Sequence, residues 1–198
     1  MLAIDFPGSR RLIDMLDCAV RKECEAAITD ALRLGLCRLM HNKEVELPEC
    51  VFQAKADHYA RRELYNSEEL GYSVMAMTWG PGQGTLIHDH CGMWCVEGVW
   101  HGQIEVSPHE LVERRDDLFR FESRGTMLAG PGSAGSLIPP HEYHTIRNPS
   151  DDAIAVSLHI YRGPMNSCSV FRRVDGDWHA RDQRQLALDR IDGKLPGA

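Results

Sequence analysis

The chain has 198 residues, and at roughly 150 residues per domain this length predicts a single domain. Hydrophobic residues make up 43% and charged residues 26% of the sequence, which excludes disordered, collagen-like and coiled-coil proteins. The formal net charge of −7 argues against nucleic acid or an anionic membrane surface as a partner, and no apolar run approaches the roughly 18 residues of a membrane-spanning helix. We therefore expect the ligand to be a small molecule.

The cysteines and the beginning of the chain favour a reducing compartment. The chain has seven cysteines, an odd number, with no Cys-x-x-Cys pair, and its first residues contain no uninterrupted apolar leader. Disulfide frameworks are typical of secreted proteins, whereas cytoplasmic thiols stay reduced. We expect a cytoplasmic protein that is a monomer or a small homo-oligomer.

The first third of the chain, residues 1–65, has a helical pattern. Apolar residues such as Leu12 and Leu16 recur at steps of three and four, and the pattern resumes after a break near Lys22. A polar connection is expected at residues 42–48, followed by a third helix over residues 51–64.

Residues 66–175 have a strand-rich pattern, in which glycine and proline separate short segments rich in valine, isoleucine, threonine and aromatic residues. Strands are predicted at residues 72–79, 94–99, 103–107, 119–122, 126–128, 153–161 and 169–174. Residues 176–198 are charged and are predicted to form a peripheral tail. The expected fold is mainly β with N-terminal helices, a single domain over residues 1–198 built on a small antiparallel barrel or sandwich.

The clearest predicted strand, residues 153–161, has two different faces. Because side chains alternate along a strand, its apolar and polar residues fall on opposite sides. The apolar face holds Ile154, Val156, Leu158 and Ile160, and the polar face holds Ser157, His159 and Tyr161. The sequence therefore predicts that one face packs into the core and the other carries chemistry.

His88 and His90 form a His-x-His pair shortly after a Gly-Pro-Gly turn. In an extended segment this spacing places both imidazoles on one face, where they can bind a single metal ion. An isolated pair of this kind is equally compatible with two ordinary histidines, so the interpretation depends on its surroundings.

The surroundings contain two spacing patterns that resemble the motifs of the cupin family. In the first, five residues separate Gly82 from His88, four separate His90 from Cys95, and six separate Cys95 from Gly102. In the second, four residues separate Pro139 from His144, and three separate His144 from Asn148.

The cupin resemblance implies a small antiparallel β-barrel, or jelly roll, with metal ligands at His88, His90 and His144. Cys95 stands where many cupins have a glutamate ligand, and His141 is an alternative to His144. Three neutral imidazoles leave a divalent ion with its full charge, whereas two histidines and a carboxylate halve it. A three-histidine site therefore suits anionic ligands supplied by the substrate.

Within the cupins, five segments are similar to the thiol dioxygenases typified by cysteine dioxygenase: residues 59–64, 79–90, 94–102, 144–148 and 155–161. The resemblance implies an Fe(II) enzyme that adds both atoms of O2 to a thiol sulfur and releases a sulfinate. Zinc would fit three histidines but is redox-inactive and cannot activate O2. The thiolate is the form that binds metal, and coordination to a dication favours it.

The same resemblance assigns roles to the polar face of the predicted strand. It directs the hydroxyl of Tyr161 toward the substrate and O2, with Ser157 and His159 as supports; the alternative is a barrel interior of satisfied polar groups. Cys95 occupies the position that forms a thioether crosslink to this tyrosine in animal members of the family. The crosslink is left open here, because a buried cysteine also packs as a small hydrophobe.

Arg61 matches the arginine that pairs with the substrate carboxylate in cysteine-selective members, with Tyr59 two residues before it. A guanidinium is a natural bidentate partner of a carboxylate, and Arg62 takes this role if the helix register differs by one. The alternative is a surface ion pair between Arg61 and Asp57.

Arg162 stands in an Arg-Gly-Pro segment where the family usually has Ser-Pro-Pro, which adds a cation near the pocket. L-cysteine is the expected substrate; 3-mercaptopropionate and mercaptosuccinate, a dicarboxylate able to use two arginines, are the alternatives.

Two other functions are open at this point: a cupin enzyme with different metal chemistry, such as an isomerase, and a non-catalytic cupin that binds a metal or another ligand. Neither requires the line of Ser157, His159 and Tyr161, so this line favours the thiol dioxygenase.

Overall fold

Two N-terminal helices form where the apolar spacing predicts them. The computed structural model describes residues 1–191, with α1 at Ser9–Val20 and α2 at Glu25–His41. Each helix turns one apolar stripe inward, and the buried residues include Leu12, Leu16, Leu32 and Leu36. The predicted break near Lys22 is confirmed.

The third predicted helix, over residues 51–64, is wrong. The structure has a short 3₁₀ helix at Glu49–Phe52 and then a strand, β1, at Ala60–Ser67. β1 pairs antiparallel with β2 at Tyr72–Trp79, and this ladder provides the backbone hydrogen bonds that a helix would have formed internally. Pairing with a neighbouring strand outweighs the local helical pattern, so Arg61 projects from a strand and not from a helix.

Ten further strands follow in the described residues, and all of the pairings are antiparallel. They are β3 Ile87–His88, β4 Cys95–His101, β5 Ile104–Arg115, β6 Leu118–Ser123, β7 Met127–Ala129, β8 Ala134–Leu137, β9 His144–Arg147, β10 Ala155–Tyr161, β11 Ser167–Asp175 and β12 Trp178–Gln185. One sheet has the order β1-β2-β10-β4-β8 and the other β6-β12-β11-β3-β9-β5-β7. The mainly β cupin barrel with N-terminal helices is confirmed.

The five-stranded sheet separates two apolar clusters. The cluster toward the helices includes Val156, Leu158 and Ile160 of β10 with Leu16 and Leu36 of the helices. The cluster between the sheets includes Met75, Trp79 and Tyr161 of the first sheet with Ile104 and Ile146 of the second. β10 therefore turns its apolar face to the helices and its polar face to the barrel interior, as its alternation predicts.

The predicted peripheral tail is wrong for much of its length. β12 lies inside the seven-stranded sheet between β6 and β11, and the chain then returns to β1, where the amide of Asp189 donates to the carbonyl of Arg61 at 2.7 Å. Strand pairing uses the backbone, so a charged segment joins a sheet without an apolar face of its own. Residues 192–198, the end of this predicted tail, lie outside the described residues. Within residues 1–191, no helix is both long enough and apolar enough to cross a bilayer.

Candidate metal centre

Three histidines converge inside the barrel. His88 ends β3, His90 follows two residues later, and His144 begins β9, which pairs with β3 at His88 and His144. The ring centroids are 4.4 Å apart for His88 and His144, 5.1 Å for His90 and His144, and 5.3 Å for His88 and His90. One ligand nitrogen from each ring lies within 4.8 Å of the others, so one metal ion can bind all three. The alternative ligand, His141, is exposed and lies outside this group.

The ring nitrogens are arranged to receive a metal ion. Nδ1 of His88 lies 3.1 Å from the carbonyl oxygen of Leu86, and Nδ1 of His144 lies 3.1 Å from that of Glu142. Donation from Nδ1 to these carbonyls selects the tautomer and leaves Nε2 with its lone pair. Within residues 1–191, Nε2 of His144 and both ring nitrogens of His90 are buried without a hydrogen-bond partner. Because buried polar atoms are nearly always satisfied, these nitrogens fit a bound metal ion.

The environment keeps two of the imidazoles neutral. Burial, and then the neighbouring His144, lower the pKa of His88 to about 3. Burial, followed by the other two imidazoles, lowers the pKa of His90 well below its usual value. Metals bind neutral imidazole, so both side chains are in the ligand form at neutral pH.

Glu97 is a residue of the site that the sequence reasoning missed. It lies on β4, and its Oε1 is 3.3 Å from Nε2 of His144 and 3.1 Å from Nδ1 of His159. Burial by itself raises the pKa of Glu97, but the two imidazoles lower it well below its usual value, so the side chain is a carboxylate. Strand alternation was a signal that could have revealed it: residues 95 and 97 share one face, and this glutamate interrupts the apolar run Cys-Val-Glu-Gly-Val.

A chain of hydrogen bonds crosses the polar face of β10. The indole Nε1 of Trp79 donates to Oγ of Ser157 at 2.9 Å, and this Oγ lies 2.7 Å from Nε2 of His159. The serine oxygen accepts from the indole and gives its own hydrogen to Nε2, which leaves the imidazole hydrogen on Nδ1. Nδ1 of His159 lies 3.3 Å from the hydroxyl of Tyr161. The structure thus brings Ser157, His159 and Tyr161 together in one line.

Cys95 and Tyr161 are direct partners in the ladder between β4 and β10, and both are buried. Burial is the main cause that raises the pKa of the Cys95 thiol and of the Tyr161 phenol, so both keep their protons. The thioether crosslink between them stays a prediction.

Arg61 and Tyr59 line a small cavity that reaches the histidines. Its volume is about 20 Å³, close to the space of one water molecule, and its wall also includes Trp79, His88, His159 and Tyr161. Tyr59 stacks on Trp79 with the ring centroids 4.5 Å apart. The predicted carboxylate-binding residues and one predicted metal ligand, His88, therefore share one cavity.

The guanidinium of Arg61 is buried, with the residue only 4% exposed, so the alternative, a surface pair with Asp57, does not form. Nη2 donates to the carbonyl of Met165 at 3.1 Å and Nη1 to that of Ala187 at 3.3 Å, whereas Nε has no hydrogen-bond partner in the part of the chain that the structure describes. Both acceptors are neutral, so among the described residues no anion pairs with this cation.

The structure does not bring the other two predicted arginines to this cavity. Arg62 lies on the opposite face of β1, where it donates to Oγ1 of Thr78 at 3.0 Å and to the carbonyl of Gln53 at 2.8 Å. The side chain of Arg162 is 60% exposed and pairs with Glu25 of α2 at 2.5 Å. The position of Arg162 gives no support to a substrate contact.

Comparison with known proteins decides the family. The profile of the family described as Cysteine dioxygenase type I matches residues 27–174, a range that contains the histidine cluster, Arg61, Glu97 and Tyr161. The chain belongs to the cysteine dioxygenase type I family. The matched range extends from within α2 to within β11 and includes the whole five-stranded sheet.

Curated members of the cysteine dioxygenase family are similar to this chain at low identity. Cysteine dioxygenase type 1 of Danio rerio is 28% identical over 124 residues, which cover 62% of this chain and 61% of the relative. Cysteine dioxygenase type 1 of Homo sapiens is 25% identical over 139 residues, 70% of this chain and 68% of the relative. The chain thus spans less than two thirds of the Danio rerio protein. Among solved structures, an uncharacterized conserved protein with a double-stranded β-helix domain from Klebsiella pneumoniae is 13% identical, with a TM-score of 0.46, over 63% of this chain and 88% of that one.

Proposed function

We propose that this protein is an Fe(II)-dependent thiol dioxygenase that acts on a small carboxylate-bearing thiol. The thiolate sulfur takes both atoms of O2 and the product is the sulfinate, so the oxygen and the charge balance without another reactant. The observation that carries the proposal is the cluster of three imidazoles, of which His90 and His144 are buried and have nitrogens without a hydrogen-bond partner in the described residues, in a chain of the cysteine dioxygenase family. L-cysteine is the first candidate substrate, with 3-mercaptopropionate and mercaptosuccinate as alternatives.

His88, His90 and His144 would hold the metal ion. Fe(II) at this site supplies the redox chemistry that thiol oxidation requires and favours the thiolate form of the substrate. Zinc suits the same three nitrogens, but it has no redox chemistry to contribute.

Arg61 would bind the carboxylate of the substrate. Its unpartnered Nε–H and its unpaired positive charge are the two features that a carboxylate satisfies. Because the cavity wall contains both Arg61 and His88, a thiol held by its carboxylate at Arg61 would point its sulfur toward His88 once the cavity, about 20 Å³ in this structure, opens to admit it. Tyr59, which stacks on Trp79, forms the adjoining wall.

Tyr161 and His159 would orient the substrate and hold a proton at the inner end of the cavity. The contact between the Tyr161 hydroxyl and Nδ1 of His159 supports this role, and Ser157 keeps the ring of His159 in one tautomer. We also propose the thioether between Cys95 and Tyr161. A carbon–sulfur bond replaces the S–H and one ring C–H, O2 accepts the two electrons and two protons, and intact-protein mass spectrometry detects the loss of two hydrogens.

The thiols and the charge support the remaining expectations about partners and location. The free thiols Cys18, Cys24, Cys37, Cys91, Cys95 and Cys168 suit a reducing compartment, and we propose the cytoplasm. The proposed partners are the thiol and O2, and a monomer or a small homo-oligomer stays a prediction.

Oxygen consumption by the Fe(II)-loaded protein tests the proposed function. With L-cysteine, 3-mercaptopropionate and mercaptosuccinate supplied separately, we expect O2 uptake with at least one thiol and formation of its sulfinate, measured by an oxygen electrode and mass spectrometry. His88→Ala should lose bound iron and O2 uptake together, because one of three ligands is gone. His41→Ala, which removes an exposed histidine of α2, is the matched control and should keep both.

Two results would contradict the proposal. Tight metal binding with no O2 uptake from any of the thiols would indicate a non-catalytic metal-binding cupin. Full iron content and activity in His88→Ala would show that the histidine cluster is not the metal centre.

A further inference from the structure

A second pocket, which we call the outer pocket, adjoins the small cavity at Arg61. Its volume is about 260 Å³, against about 20 Å³ for the cavity that His88 lines, and it is close to the lower end of the about 300–1,000 Å³ of small-molecule sites. Tyr59, Arg61 and Leu186 line both spaces. The rest of the outer wall comes from the end of β12, the segment after it and the chain before β1: Arg184, Gln185, Ala187, Leu188, Asp189 and His58. A ligand held at Arg61 therefore has room to extend into the outer pocket.

Arg184 contributes a second guanidinium to the outer pocket. In the ladder between β11 and β12 it is paired with Cys168, and residues paired in this way point to the same face of a sheet. Cys168 is buried and lines the inner cavity, so Arg184 is on the barrel side of β12. Its guanidinium carbon lies 6.0 Å from the centroid of the Tyr59 ring. Burial raises the pKa of Tyr59, and the positive charges of Arg184 and Arg61 oppose this rise, so both cations lie close to the phenol.

Neither guanidinium is neutralised by an anion in the described residues. Within residues 1–191, the Arg184 side chain forms no ion pair and no hydrogen bond, and Arg61 is buried with its Nε unpartnered. The carboxylate in the wall, Asp189, has other partners: it accepts from the backbone amide of Arg61 at 2.9 Å and lies 3.1 Å from Nε2 of His58. Two guanidinium groups against one carboxylate leave the outer pocket positive, which favours an anionic ligand.

We infer that Arg184 binds a second carboxylate of the substrate, an inference that rests on the thiol dioxygenase proposed above. The substrate class is then a thiol with two carboxylates, of which Arg61 binds one and Arg184 the other. Each guanidinium offers a fork of N–H donors that matches a carboxylate. Mercaptosuccinate has this chemistry, with carboxylates at both ends of a four-carbon chain and its sulfur on an inner carbon. Arg184 thus replaces Arg162, which pairs with Glu25 on the helix side, as the second arginine for such a thiol.

Two thiols that differ by one carboxylate test the inference. 3-Mercaptopropionate is mercaptosuccinate without the carboxylate on the carbon that bears the sulfur. For the Fe(II)-loaded wild-type protein we expect a higher kcat/KM with mercaptosuccinate, measured from initial rates of O2 uptake. In Arg184→Gln the ratio of the two kcat/KM values, mercaptosuccinate over 3-mercaptopropionate, should fall about fivefold, a modest effect because Arg184 is exposed and exposed ion pairs are weak. Arg181→Gln, on the same strand but with its guanidinium over Phe119, is the matched control and should leave this ratio unchanged.

Binding without turnover gives an independent measurement. Calorimetric titration of the metal-free protein compares succinate with butyrate, which has the same four carbons and one carboxylate. Wild type should bind succinate about fivefold more tightly than butyrate, and Arg184→Gln should lose this preference. Arg184→Lys should restore part of it, because lysine keeps the charge but not the fork of donors.

The outcomes separate this inference from the proposed function. O2 uptake with 3-mercaptopropionate or L-cysteine, together with an equal ratio in wild type and folded Arg184→Gln, would overturn the second carboxylate site and leave the dioxygenase standing. Equal affinity of the wild type for succinate and butyrate would overturn it as well, and this comparison decides even where the variant fails to fold. If no thiol supports O2 uptake, the proposed function is wrong, and the inference about its substrate fails with it.

Discussion

The two faces of β10, the central strand of the five-stranded sheet, are buried to the same extent, but they differ in chemistry. All seven residues of β10 are buried. Toward the helices, Leu158 packs in a purely apolar cluster. Toward the second sheet, its neighbour His159 contacts Ser157, Tyr161 and Glu97. Burial alone therefore does not distinguish core from site in this barrel; the hydrogen bonds and charges of the buried groups do.

The two faces should contribute differently to the free energy of unfolding. Burying a leucine stabilises a fold by about 1.5–3 kcal/mol, whereas a buried polar group contributes little net stability and costs free energy when a partner is missing. The helix-facing residues should therefore control stability, and the barrel-facing residues should control activity. Neighbouring residues on β10 allow this separation to be tested.

The largest effect is expected on the helix-facing side. Leu158→Ala should lower the free energy of unfolding by about 2–5 kcal/mol, because it opens a cavity in the helix-facing cluster. Chemical denaturation measures this loss, while kcat per folded molecule should stay unchanged. A loss well under 1 kcal/mol, or a large fall in kcat of the folded variant, would break the proposed separation of the two faces.

The adjacent barrel-facing residue should behave in the opposite way. His159→Gln keeps a polar side chain near Ser157 but removes the ring nitrogen that faces Tyr161 and Glu97. We expect kcat to fall by about 100-fold, or about 2.7 kcal/mol in the barrier, with a small change in Tm. Initial rates of O2 uptake and thermal melts measure the two quantities. A kcat close to that of wild type would remove His159 from the proposed proton-holding role.

The smallest effect is expected on KM, where the buried Arg61 of the barrel side can be compared with the exposed Arg162 of the helix side. Arg61→Ala should raise KM for a carboxylate-bearing thiol by about tenfold, which corresponds to about 1.4 kcal/mol, because a buried cation in the cavity is lost. Arg162→Ala removes an exposed pair with Glu25 and should leave KM unchanged, since such surface pairs are worth about 1 kcal/mol or less. Equal KM values for both variants would show that the substrate carboxylate binds elsewhere.

Local sequence patterns predicted much of the fold and the central part of the candidate site. The alternation of residues 153–161 predicted both faces of β10, and the apolar spacing predicted α1 and α2. The spacing of His88, His90 and His144 identified residues that the structure brings within ligand distance. Each of these predictions uses either the regular spacing of side chains along a helix or strand or the spacing of residues in a motif. Both can be identified in the sequence without a structure.

Long-range pairing decided what those patterns missed. Residues 51–64 have a helical spacing, but the ladder with β2 makes residues 60–64 part of β1. The charged segment after residue 176 lacks an apolar face, yet β11 and β6 hold it as β12. In both places the neighbouring strand provides the backbone hydrogen bonds, and no local feature of the sequence reveals which strand that is.

By itself, the sequence predicted which residues would carry the chemistry: the imidazoles of the cluster, the polar line of β10 and a guanidinium at Arg61. The tertiary structure decided where the charges lie relative to them. It buried Arg61 in a cavity that His88 also lines, placed Arg162 on the helix side, and brought the carboxylate of Glu97 to 3.3 Å from His144 across the barrel. The physical reason is that periodicity assigns a side chain to a face of its own strand, whereas the register between strands distant in sequence sets which charges meet.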